Sequence, residues 1–280
     1  PKIAELQKKY KNDQDKLNKK TMELYKKENV SMFSGCLPLL ITMPILFAMF
    51  AALRMISNEQ IANQAFHLIA TGTAPKFESW LWIKNIWMPD SPFNSVMLNS
   101  NSLRMIPADI WQRAYDGLDA GIMEAIKNTG ILIDFTAGNH TATAEAMFTY
   151  MQSLPVYQAE MQLVPGFQNF LFGLSLYKNF NGLFLLPVLS GASQILMTKM
   201  TQVTPTGGDA TQPQAGGAFM KWFFPIFSVY ICATSNAGFS IYWVTANVIA
   251  TVQNFILNKY LDAKDKREEE LIVQKGSVVK

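Results

Sequence analysis

No charged residue occurs between Trp222 and Asn258. A soluble fold would not expose such a stretch, and a single soluble core has little use for it. As one helix it would be about 55 Å long, too long for a hydrocarbon core of about 30 Å. Ser235-Asn236-Ala237-Gly238 supplies a break, so the stretch is expected to be a hairpin of two spans, 219–235 and 238–257. Only 16% of the 280 residues are charged and 49% are hydrophobic, against roughly 25% charged in an average soluble domain. The 12% aromatic content and the long apolar runs exclude disorder. The two cysteines, Cys36 and Cys232, both lie in apolar runs, which excludes a disulfide scaffold. A net charge of +3 is too small to argue for nucleic acid. The expected fold class is an all-α integral membrane protein.

Two more spans precede the hairpin. Residues 36–56 carry one charge, Arg54, near their end. Residues 182–200 follow, with Pro187 and Gly191 inside them. Pro38 and Pro44 would break a soluble helix but are tolerated in a membrane, where neighbours satisfy the freed carbonyl. The spacing thus predicts a helical bundle of four visible transmembrane helices. Residues 1–30 hold nine Lys and five acidic side chains. Ile3, Leu6 and Tyr10 share one helix face, Asn12-Asp13 offers a turn and an N-cap, and Leu17, Leu24 and Tyr25 line a second helix. The expectation is a Lys-rich helical hairpin, with a solvated coiled-coil arm as the plainer alternative. Residues 57–177 are mostly polar, with ten acidic and five basic side chains. They open with Trp80, Trp82 and Trp87, which suit the headgroup level, and helical periodicity returns over 107–128 and 143–153. A Gly- and Thr-rich loop covers 201–217, and a basic tail runs over 258–280. The basic residues concentrate in the arm and the tail, which puts both ends on the cytoplasmic side and 57–177 outside.

Several blocks then resemble a known family. Gly35-Cys36-Leu37-Pro38-Leu39-Leu40-Ile41-Thr42-Met43-Pro44-Ile45, preceded by the Lys-rich arm, is similar to the cytoplasmic hairpin and following membrane helix of the YidC family of membrane protein insertases. Leu81-Trp82-Ile83-Lys84-Asn85 with Pro89-Asp90, then Leu186-Pro187-Val188-Leu189-Ser190-Gly191, agree with it in order. So does the last hairpin, with Gly238, Tyr242-Trp243, Asn247 and Gln253. The resemblance covers 1–92 and about 168–260, leaving 93–167 as an insertion without a counterpart. It implies five core membrane helices, the first of which would lie upstream of Pro1 and carry the groove arginine. The chain opens on Pro1 rather than Met, and it is expected to lack that segment. The resemblance further implies a bacterial plasma (inner) membrane protein that inserts newly made membrane proteins and helps them fold. It would do so through a hydrophilic groove open to the cytoplasm, alone or with the Sec translocon. Its implied partners are nascent clients, the ribosome, the translocon and the lipid bilayer, with no nucleic acid beyond contact with the ribosome. The Lys-rich arm and the basic tail would be contact sites for them.

Moving a polar client segment through a bilayer is a solvation problem, since unsatisfied polar groups there cost several kcal/mol each. A polar, wet groove would answer it. Ser190, Gln194 and Thr198 recur at i, i+4 and i+8, as do Trp243, Asn247 and Thr251. Thr42 adds a hydroxyl to the first span. The candidate client groove is therefore Thr42, Gln194, Thr198, Trp243, Asn247 and Thr251, with Trp243 included because it matches a groove-lining aromatic position of the family. The same stripes also suit plain hydrogen bonding between packed helices. No catalytic set, phosphate loop or buried carboxylate pair is present in the spans, so no covalent catalysis and no cofactor is expected. His67 and His140 lack ligand spacing, so no metal is expected either. Two other readings compete. A secondary transporter would need ionisable residues near the midplane and an inverted repeat, whereas Arg54 and Lys199 lie near span ends. A structural membrane scaffold would work through the outer insertion.

Overall fold

The computed structural model describes residue 6 and residues 9–10, 13–27, 37–136, 138–169, 173–201 and 214–278. Most of the arm before Asp13, Cys36 and residues 202–213 of the expected 201–217 loop lie outside the described residues, and the described ends of that loop, residue 201 and residues 214–217, are helical. Among those described the structure is all-α, with ten helices and only isolated β-bridges. They are α1 (Gln14–Lys27), α2 (Leu37–Thr71), α3 (Ser100–Arg104), α4 (Ala108–Asp116), α5 (Ala120–Asn128), α6 (His140–Ser153), α7 (Pro155–Glu160), α8 (Leu185–Thr201), α9 (Gln214–Thr234) and α10 (Ala237–Val278). Among the described residues no helix is long and apolar enough to cross a membrane. In α8 the helix is 17 residues long, about 26 Å at 1.5 Å per residue. In α10 the apolar residues are interrupted by Ser240, Thr245, Asn247, Thr251, Gln253 and Asn254. The side chains of Leu37–Met43 and Gln214–Lys221, which open α2 and α9, lie outside the described set.

The chain divides into two units. Unit 1 comprises Pro1–Leu46, Leu189–Ser228 and Val244–Lys280. Its α1 begins where the Asp13 carboxylate accepts a hydrogen bond from Lys16 N at 3.1 Å, satisfying a backbone donor left free at the helix start. Exposed ion pairs, Lys16–Asp13 and Lys20–Glu23, run along it.

Unit 2 comprises Phe47–Val188 and Val229–Trp243. Here α2 runs well past Ile56, because Ile61, Ala62, Ala65, Phe66 and Ile69 keep helical spacing and are all buried. That face forms one wall of a core completed by Leu103, Ile110, Trp111, Ile126, Met147 and Met151. Phe66, Trp111, Tyr115 and Phe135 meet in a ring cluster, with Trp111 and Phe135 stacked at 5.3 Å. The helical run over 107–128 is divided, since the Asp119 side chain accepts from Ile122 N and starts α5 afresh. Asn99 and Ser102 form a capping box at α3. Tyr157 is buried and donates its hydroxyl to Leu98 O at 2.7 Å, and the same burial raises the phenol's pKa above its ordinary value.

The excursion between α2 and α8 closes on itself. Lys84 N donates to Asn181 O at 3.1 Å, Val96 N to Asn179 O at 3.2 Å, and Asn181 N to Asn94 O at 2.8 Å. Inside this neck Asn85 and Asn181 are fully buried. Asn181 donates through Nδ2 to the carbonyls of Asn85, Met88 and Pro89, and its Oδ1 accepts from Asn85 N. Asn85 in turn donates to Gln64 Oε1 on α2 and to Val96 O.

Candidate functional site

The start of α8 is set by a buried carboxylate. Asp90, with no exposed surface, accepts from Phe184 N at 3.1 Å, Leu186 N at 2.7 Å and the Trp82 indole at 3.2 Å. A negative group there satisfies orphan amides and complements the positive end of the helix dipole. Gly182 lies against it, and a Cβ at that position would overlap the Asp90 carboxylate.

Within unit 1 the two polar stripes meet at one point. Gln194 on α8 donates through Nε2 to Asn247 Oδ1 on α10 at 3.2 Å. The two residues are half-buried. Around them the hydroxyls turn back onto their own helices. Thr198 donates to Gln194 O at 2.8 Å, Thr251 to Asn247 O at 2.7 Å, and Ser193 to Ser190 O at 2.8 Å. A Thr or Ser that spends its proton on the preceding turn presents only lone pairs outward. Asn247 Nδ2 is buried and has no hydrogen-bond partner. Leaving such a donor unsatisfied costs about 1–3 kcal/mol. The pair therefore combines an acceptor-lined flank with an unused donor, which is the chemistry of a hydrogen-bonding surface. It contains no nucleophile beside a base.

Of the residues singled out from the sequence, the structure brings Gln194, Thr198, Asn247 and Thr251 together. Thr42 is helical, and its side chain lies outside the described set. Trp243 falls in unit 2, where its ring packs on Phe239 at 5.6 Å. Among the described residues no three His, Cys, Asp or Glu side chains are placed to hold a metal ion. His67 lies 3.4 Å from the Thr71 hydroxyl, and His140 Nδ1 is buried without a partner. Asn85 and Asp90 enter the reading of the sequence only as parts of a family-like block, without a role, and Asn181 does not enter it. An acid between Pro89 and Pro92, just after three tryptophans, was the available signal, but the helix-start amides that answer it lie more than ninety positions away.

The chain matches the model of the family described as 60Kd inner membrane protein over residues 1–265. Proteins named membrane protein insertase YidC are similar to it. The one from Clostridium perfringens is 44% identical over 94 residues, 33% of this chain and 32% of that protein. The one from Treponema denticola is 26% identical over 259 residues, 92% of this chain and 28% of that protein. The one from Fusobacterium nucleatum is 38% identical over 84 residues, 30% of this chain and 33% of that protein. The chain thus spans about a third or less of these relatives' length. No solved structure matches it.

Proposed function

The chain belongs to the 60Kd inner membrane protein family, and from that premise we propose that it is a membrane protein insertase and chaperone. It would receive newly made membrane proteins at the cytoplasmic face of the bacterial inner membrane and pass their polar segments through a hydrophilic groove, alone or with the Sec translocon. The observation that carries this reading is the family match over nearly the whole chain, together with relatives named as insertases. The finer reading has four membrane spans over 36–56, 182–200, 219–235 and 238–257. The arm 1–30, the 201–217 loop and the 258–280 tail face the cytoplasm, where the arm and tail meet client, ribosome or translocon.

Gln194, Thr198, Asn247 and Thr251 line the groove in this reading, with Thr42 and Trp243 as further members. The unused Asn247 donor supports it. A pair serving only helix packing would gain about 0.6 kcal/mol from its bond, less than the cost of the orphaned amide. A client carbonyl or a groove water offers that amide the acceptor it lacks. The step is one of solvation, so no bond is made or broken.

The test is the double substitution Gln194→Leu with Asn247→Leu, read twice. Insertion of a client with a charged external tail should fall several-fold, while melting in detergent stays level or rises. Lower melting with unimpaired insertion would assign the pair to packing and reject the groove at these residues.

A further inference from the structure

Unit 2 contains a cavity of about 600 Å3, apart from the polar pair of unit 1. One wall is a single face of α2, where Phe50, Arg54, Ser57, Asn58 and Ile61 follow helical spacing. The rest comes from the neck, from α3 and from the turn between α9 and α10. Its lining includes one cation, Arg54, and no carboxylate.

Several carboxamides around it are left with free donors, beside the Ser102 and Thr234 hydroxyls, whose protons go to Asn99 O and Tyr230 O. Asn99 Oδ1 accepts from Ser102 N at 2.9 Å, and Asn236 Oδ1 accepts from Phe239 N at 2.8 Å. Both carboxamides have committed their acceptor end to a helix start, so their amide protons are the half left over. Asn58 is more than nine-tenths buried, and the indole N–H of Trp87, in the same lining, is buried without a hydrogen-bond partner. A polar group buried that far normally has one. Arg54 likewise forms no ion pair among the described residues. A guanidinium with surplus amide donors and no competing acid selects an anion.

Size and rim narrow the anion further. The volume exceeds what a free phosphate fills, and the lining mixes these donors with Phe50, Trp87 and Phe239. Met105 and Tyr230, also in the lining, are 59% and 63% exposed. Such apolar surface beside a polar pocket suits an amphiphile rather than a soluble ion.

We propose that this cavity binds the headgroup of an anionic phospholipid, its phosphodiester held by Arg54 and the carboxamide donors and its acyl chains leaving past Met105 and Tyr230. The site rests on the membrane reading given above, but its occupancy does not depend on client insertion, so the two can fail separately. The probe is dihexanoyl-phosphatidylglycerol, titrated into the full chain in a neutral detergent and followed by calorimetry. Saturable binding is expected, tenfold or more weaker in Arg54→Gln and in Asn58→Leu, and only a few-fold weaker in Arg54→Lys. Dihexanoyl-phosphatidylcholine should bind at least tenfold more weakly to the unaltered protein, a comparison that needs no variant to fold. Inorganic phosphate in tenfold excess should not displace the lipid. Equal binding of the two lipids would overturn the proposal, as would unchanged affinity in the folded variants. Displacement by phosphate alone would reduce the cavity to a simple anion site, and displacement by an acidic peptide at equal concentration would assign it to a client. Loss of insertion in the Gln194/Asn247 variant with lipid binding intact would leave this site standing.

Discussion

Asn181 joins two stretches of chain more than ninety positions apart through four hydrogen bonds, three given and one received. Replacing it with Leu keeps much of the volume but strands the Pro89 carbonyl and the Asn85 amide, while the Asn85 and Met88 carbonyls keep the N–H groups of Met88 and Ala237. Each stranded group costs about 1–3 kcal/mol before relaxation. Asn181→Leu is therefore expected to lower the unfolding free energy of unit 2 by about 2 kcal/mol or more, read from a denaturant titration. Gly182→Ala attacks the same place differently. Its backbone angle is ordinary, so the penalty is steric, and the Asp90 carboxylate must leave the α8 amides to make room. Hydrogen exchange at Leu186 should quicken in that variant, and unaltered exchange would show that Asp90 does not hold the helix start. At Asp134 the carboxylate accepts from the Thr136 hydroxyl at 2.6 Å, from Thr136 N at 3.0 Å and from the Asn139 amide at 2.7 Å. The Thr136 hydroxyl, then its N–H and the Asn139 amide, hold the carboxyl below its ordinary range. A depressed carboxylate stabilises the turn above its unfolded value, and that contribution is lost as pH falls through the folded one. Acidification should loosen the turn that Asp134 makes with Thr136 and Asn139, and Asp134→Asn should abolish that pH dependence in an exchange profile.

At the scale of elements, the ring cluster of Phe66, Trp111, Tyr115 and Phe135 ties α2 to the helices that follow the neck. Trp111 is fully buried, and Trp111→Ala should cost about 3–5 kcal/mol by leaving a cavity among rings. A cooperative thermal melt of the full chain would read this as a clear drop in the midpoint of unit 2. The end of α2 shows what sequence reading could reach. An apolar run sized to a bilayer stops near Ile56, and the polar residues after it look like a boundary. The helix continues because Ile61, Ala65, Phe66 and Ile69 find partners in residues 96–157, a contact that local spacing does not encode. Gln194 and Asn247 were legible for the opposite reason. Their i, i+4, i+8 stripes are local, and only their meeting across 53 positions, and the one amide left without a partner, required the structure.

For the molecule as a whole, charge asymmetry sets the expected orientation. Lys19 on α1 and Thr141 on α6 are both exposed. Single cysteines placed there, in a background without Cys36 and Cys232, should react with an impermeant thiol reagent from opposite faces of the membrane. Reaction from the same face would reject the topology. The neck carries a different consequence, one about ancestry. Because residues 84–96 and 179–182 are pinned to each other, the chain outside them meets the same two endpoints however long the excursion grows. Such a site tolerates the gain, loss or exchange of a whole module, as insertions do where termini lie close together. Only one toll remains on a swap: the bared Ile61–Ile69 face needs a new cover. Lineages that trimmed the module would be expected to have polar residues at those positions, and lineages that enlarged it to have kept them apolar.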